Sequence, residues 1–126
     1  MEPKVILIDS MEESQLTVNG LVQIAHTNAK SKGWHEEERS PLEYHALFHS
    51  EISEATEAVR SGLPPIEFGE SSGVLRKPEG EAIELADVVI RIADYFGSKG
   101  WNLQDAIMTK VAYNETRPHR HGGKKY

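Results

Sequence analysis

The chain contains no cysteine. That absence excludes disulfides, thiolate zinc sites, cysteine-ligated iron–sulfur clusters and a cysteine nucleophile together, so any metal must be held by oxygen or imidazole. No apolar run approaches the roughly 20 residues needed to span a bilayer. The short run Val5–Ile8 lies between Glu2 and Asp9, wrong in length and flanking charge for a signal peptide, and the sequence reads as cytoplasmic with no membrane partner. Phosphate loops of the Gly-x-x-x-x-Gly-Lys type, Gly-x-Ser-x-Gly elbows and dinucleotide fingerprints are also missing, so a bound polyphosphate must be held differently. With 7% aromatic and 27% charged residues and a mean hydropathy of −0.50, the 126 residues suit one soluble helical domain with a single modest core.

Acidic residues outnumber basic ones by 20 to 14, which argues against stable nucleic-acid binding. The tail reverses sign. From Lys110 onward five basic residues face Glu115 alone, a net of +4 that leaves the rest of the chain at −10. An acidic body with a basic tail suits joint binding of a metal and a polyanion.

Apolar periodicity and caps predict four helices in one domain over 1–126, with an N-terminal arm over 1–14 and a basic C-terminal tail over 118–126. The first helix runs from about Gln15 to Lys32, stopped by Gly33, with Ser10 and Glu13 at capping-box spacing before it. Ser40, Pro41 and Glu43 start the second, which Gly62 and Pro64-Pro65 stop after Ser61. The third opens near Pro78-Glu79-Gly80 and reaches Tyr95 or Phe96, with Gly97 and Gly100 closing it; apolar over most of its circumference, it reads as a central helix. Asn102 caps the fourth, whose apolar face is Leu103, Ala106, Ile107 and Val111 and which ends before Pro118. The expected fold is all-α, a four-helix antiparallel bundle. Residues 62–78, rich in Gly, Pro and Ser, are either a disordered connector or a lid that shapes the substrate site.

Two carboxylate pairs stand out, Glu51-Ile-Ser-Glu54 on the second helix and Glu84-Leu-Ala-Asp87 on the third. The i, i+3 spacing puts both acids of a pair on one face, about 5–6 Å apart at Cβ, near enough to share a hard cation. Tyr44, Leu47, Ala55 and Ala58 project beside Glu51 and Glu54, so that pair sits on an apolar face. On the third helix Glu84, Asp87, Arg91 and Asp94 form a narrow polar strip bordered by Ile83, Ile90, Val88 and Tyr95. Acids collected between packed helices repel one another and lose solvation unless protons, basic partners or divalent cations neutralise them. Oxygen-only donors select Mg²⁺, with Mn²⁺ as a substitute. Either pair alone is the ordinary pattern of a solvated helix face; Arg91 can serve Asp87, whereas Arg60 projects away from Glu51 and Glu54. Glu57 turns toward the polar side. His45 and His49 have acceptable metal spacing but point away from Glu51 and read as packing or interface residues, while His119 and His121 meet phosphate or solvent.

Together these residues resemble the MazG-like all-α nucleoside triphosphate pyrophosphohydrolases, relatives of dimeric dUTPases and dCTP pyrophosphatases. The resemblance rests on Lys32-Gly33-Trp34, the two acidic pairs, Lys77-Pro78-Glu79-Gly80 and the tail Lys110-x-x-Tyr113-Asn114-x-x-Arg117. Ser50 stands where members often carry a glutamate before the first acidic motif. The resemblance implies Mg²⁺ on Glu51, Glu54, Glu84 and Asp87, with Glu51 or Glu54 orienting the attacking water, and hydrolysis of a (deoxy)nucleoside triphosphate to monophosphate and pyrophosphate in nucleotide-pool sanitation. Lys110, Asn114, Arg117 and Lys124 are then the phosphate contacts, or else a solubilising tail. Trp34 or Phe68 would stack on the base and His26 or Asn28 bond its edge, though each also fits a core or interface role. A homodimer or homotetramer is implied. The competing readings are a phosphohydrolase of dUTP, dUDP or an alarmone-type nucleotide, and a non-catalytic helical module that binds metal or a basic partner in its acidic groove.

Overall fold

The computed structural model describes residues 16–72 and 75–118. Among them lie four helices and a two-stranded hairpin: α1 (Val18–Ser31), α2 (Pro41–Arg60), β1 (Glu67–Ser72), β2 (Leu75–Glu79), α3 (Glu81–Lys99) and α4 (Leu103–Glu115). The expected Ser10/Glu13 cap, the run Val5–Ile8 and Lys124 fall outside the described residues. None of these helices is long and apolar enough to cross a membrane.

Local signals account for each boundary. Thr17 caps α1, its hydroxyl accepting from the Gly20 amide at 2.9 Å, two residues inside the expected start. At α2 the reciprocal capping box forms: Ser40 Oγ accepts from the Glu43 amide, and the Glu43 carboxylate accepts from the Ser40 amide. The helix ends at Arg60, one residue early. α3 begins at Glu81 behind Gly80 and continues through Gly97 to Lys99, stopping at Gly100 in the left-handed conformation. Gly97 does not end it, because there the missing side chain serves packing. A Cβ at Gly97 would lie 2.6 Å from His26 Cβ on α1.

α3 is the central element, packed against α1 on one side and α2 on the other. The core comprises Ala25 of α1, Tyr44, Ala55 and Ala58 of α2, and Val88, Ala93 and Tyr95 of α3. Small residues bring the backbones close, and Tyr95 fills the remaining space, with Tyr44, Phe48 and Trp101 ring centroids 4.6, 5.9 and 5.7 Å away. α4 departs from a compact four-helix arrangement. It rests against α1, where Asn19 Oδ1 accepts from the Gln104 amide, and none of its residues is buried. Its expected apolar face therefore stays open, with Ile107, Met108 and Val111 exposed, as are Leu85, Val89 and Ile90 of α3.

The connector after α2 is a hairpin rather than a structureless loop. β1 and β2 pair antiparallel, with Glu67 opposite Glu79 and Phe68 opposite Pro78. Its base is fastened where the Ala82 amide donates to Pro65 O at 3.0 Å. Gly80 makes this possible with φ +113°, and a Cβ there would fall 2.4 Å from the carbonyl oxygens of both Pro64 and Pro65. Gly62 also has a positive φ, +75°, but nothing within 4 Å of a would-be Cβ. Gly80→Ala should therefore cost about 3 kcal/mol, strain plus overlap, and Gly62→Ala about 1 kcal/mol, strain alone. Chemical denaturation of the two variants checks the difference; equal losses would show that the Pro64–Pro65 contact does not constrain the start of α3.

Candidate metal centre

The hairpin returns the chain so that the acidic stripe of α2 faces the polar strip of α3. One carboxylate oxygen from each of Glu51, Glu54 and Glu84 lies within 4.8 Å of the other two. The two motifs, 30 residues apart, are thus one cluster. Asp87 stands beside it, sharing Arg91 with Glu51. Glu51 is the inner member, its side chain 12% exposed. Glu54 faces solvent at the open side.

Among the described residues Arg91 makes the ion pairs with the cluster. Arg91 Nε is 3.0 Å from Glu51 Oε1 and 3.7 Å from Asp87 Oδ2. The contact is ionic more than directional, because the buried Nε–H donates no hydrogen bond. On its other side the guanidinium lies over Trp34, 4.2 Å from the ring centroid. Burial pushes the Glu51 carboxyl above its ordinary range, and the adjacent Asp87 carboxyl adds to this while Arg91 opposes it. Glu84 is raised by burial first and then by the nearby Glu54 and Asp87, against a weaker pull from Lys77. Four acids and one arginine leave the site short of positive charge. The donors are all carboxylate oxygens from two facing helices, which suits a hard divalent ion such as Mg²⁺ or Mn²⁺.

The other expected site residues are dispersed. Trp34 does reach the cluster, through Arg91, and Arg39 also lies near its ring at 5.6 Å. His26 is held by Asp94, with Nδ1 to Oδ1 at 2.9 Å, and Asn28 is exposed on α1. Lys110, Asn114 and Arg117 belong to α4 and the turn after it, and among the described residues no hydrogen bond or ion pair links them to the acids. Lys110 instead stacks on Tyr113, with Nζ 5.1 Å from the ring centroid. Glu57 pairs loosely with Arg60 at 4.0 Å on the surface, and His45 packs near Tyr95. Arg91 is the site residue that sequence reasoning placed only as a partner for Asp87. Its position on the strip was visible, but its reach across to Glu51 depends on how α2 and α3 pack.

No protein-family model, curated protein or solved structure matches this chain. The site's chemistry therefore rests on its own geometry.

The raised Glu84 carboxyl has a definite consequence for stability. The folded state holds that proton more tightly than the unfolded chain, whose value is near 4.5. Its stabilising contribution is present below that value and is lost as pH rises through the raised one. In metal-free buffer near neutral pH, Glu84→Gln should raise Tm by a few degrees at most, and the gain should shrink toward about pH 4. Thermal melts across that range in EDTA check this; a variant no more stable than wild type near neutrality would show that the cluster carries no repulsive load.

Proposed function

We infer that the chain is a Mg²⁺-dependent hydrolase of (deoxy)nucleoside triphosphates, releasing monophosphate and pyrophosphate, of the MazG-like all-α kind. The observation that carries this reading is the convergence of Glu51, Glu54 and Glu84 on facing helices, with Asp87 beside them on the shared Arg91. These four carboxylates would hold the ion, which when bound polarises phosphoryl oxygens and lowers the pKa of coordinated water. Glu54, solvent-facing and without an ion-pair partner among the described residues, would in this reading orient the water and accept its proton. Glu51, already engaged by Arg91, is the positioning member. Trp34 is the stacking candidate for the base in this reading, and Arg91, 4.2 Å from its ring centroid, would have to share or yield that face. His26 and Asn28, on α1 a turn or two before it, are the candidates for its edge.

The phosphate contacts assigned to Lys110, Asn114, Arg117 and Lys124 need a second subunit in this reading. A homodimer or homotetramer that covers Ile107, Met108 and Val111 of α4 and the exposed row Leu85, Val89 and Ile90 of α3 completes the bundle and lets α4 reach a neighbour's acids. Met108→Glu should then shift the mass measured by light scattering toward the monomer. A mass unchanged from an oligomeric wild type would place the interface elsewhere.

The decisive measurement is pyrophosphate release across ribo- and deoxynucleoside triphosphates, including dUTP, with Mg²⁺ or EDTA. Release should require the metal, and Glu54→Gln and Asp87→Asn should each lower kcat/KM by more than about a hundredfold, beyond what loss of an outer-sphere partner costs. A folded wild type that binds Mg²⁺ yet turns over none of these nucleotides with Mg²⁺ or Mn²⁺ rejects the enzyme and leaves the metal-binding module.

A further inference from the structure

The polar strip of α3 carries a second convergence, one turn beyond Arg91. Asp94 Oδ1 lies 2.9 Å from Nδ1 of His26 on α1 and 2.7 Å from Nε2 of His35 in the connection between α1 and α2. One ligand atom from each of the three residues lies within 4.8 Å of those of the other two. The two imidazole centroids are 4.9 Å apart with the rings inclined at 67°. The side chains are 26%, 17% and 13% exposed for His26, His35 and Asp94, sheltered yet open to a solvent ligand.

We propose that His26, His35 and Asp94 form a second divalent-cation site, one that takes a zinc-class transition ion rather than Mg²⁺. Three chain segments each contribute one donor to the cluster. Donors about 2.1 Å from one ion at roughly right angles stand about 3 Å apart, and the two nitrogen–oxygen separations here, 2.9 and 2.7 Å, are close to that spacing. Two imidazoles with one carboxylate favour Zn²⁺ or Co²⁺, whereas the all-oxygen cluster at the other end of the strip favours Mg²⁺. Arg91 stands between the two sets, neutralising the acids without a contact to either histidine.

The surroundings support ligation. His35 Nδ1 lies 3.4 Å from the buried Tyr44 hydroxyl, an outer partner of the kind that holds a metal-bound imidazole in one tautomer. Without an ion, His26 Nδ1–H and His35 Nε2–H donate to Asp94 and Tyr44 O–H donates to His35 Nδ1. With an ion each ring carries its proton on the other nitrogen, and His35 Nδ1–H donates to Tyr44, so the exchange needs no net loss of protons from neutral rings. Gly97 admits α1 closely enough to place His26, and Ala93 beside Asp94 is fully buried. Tyr44 and His35 also line a cleft of about 500 Å³ from which a water can complete the coordination. An ion there ties α1, α3 and the connection carrying Trp34 together.

The test uses the full chain with His45, His49, His119 and His121 replaced by Gln, which leaves His26 and His35 as its only histidines. Titration with Co²⁺ should give visible d–d absorption saturating at about one equivalent, reversed by Zn²⁺ but not by a hundredfold excess of Mg²⁺. Zn²⁺ should raise Tm, and His35→Gln or Asp94→Asn should weaken Co²⁺ binding at least tenfold. No saturable binding, or binding unchanged in both variants, overturns the proposal. If the variants fail to fold, ring ¹⁵N resonances of the parent decide: Zn²⁺ must shift His26 Nδ1 and His35 Nε2, and resonances that stay in place overturn it equally.

Discussion

Arg91 is held at the junction of α2, α3 and the connection after α1. Its guanidinium faces Glu51 and Asp87 on one side and lies over Trp34 on the other. Without it, the inner carboxylate of the cluster would be buried among other acids with no cation beside it, an arrangement more costly than any single apolar contact nearby. With it, the acids remain together, and the Glu51 and Glu84 carboxyls are raised first by burial and then by the neighbouring acids. The same arginine couples an aromatic face to the acids. A change in the charge of the cluster is therefore felt at Trp34 without any backbone rearrangement.

Around this contact the fold brings distant segments into register. α3 lies between α1 and α2, and a hairpin tied at its base by the Pro65 carbonyl sets where α3 begins. Gly80 is the geometric condition for that tie, because any side chain there would meet the carbonyls of Pro64 and Pro65. Displacing α3 along its axis by one residue would turn Glu84, Asp87 and Arg91 about 100° away from α2. The hairpin thus contributes to the site although none of its residues belongs to the carboxylate cluster.

The polar strip of α3 presents two kinds of donor. Its N-terminal half meets carboxylates from α2, and its C-terminal half meets imidazoles from α1 and the following connection. On the far side, α3 and α4 present aliphatic residues to solvent.

Much was legible before the structure. The capping box at Ser40, the Gly100 stop, the Asn102 cap and the apolar periodicity of α3 are local, so adjacent residues determine them through backbone hydrogen bonds and side-chain spacing. The pairing of Glu51 with Glu54, and of Glu84 with Asp87, is equally local. The hairpin was not legible: its strands are short and broken by glycine and proline, and pairing depends on a partner strand rather than on periodicity. Asp94 was visible on the polar strip, but nothing joined it to His35, 59 residues away in the chain. By itself the sequence determined which residues share a helix face, because helical geometry repeats every 3.6 residues whatever surrounds it. Only the tertiary structure decided which faces meet, placing Arg91 against Glu51 and two histidines against Asp94, because that choice follows from packing between segments that no local rule connects.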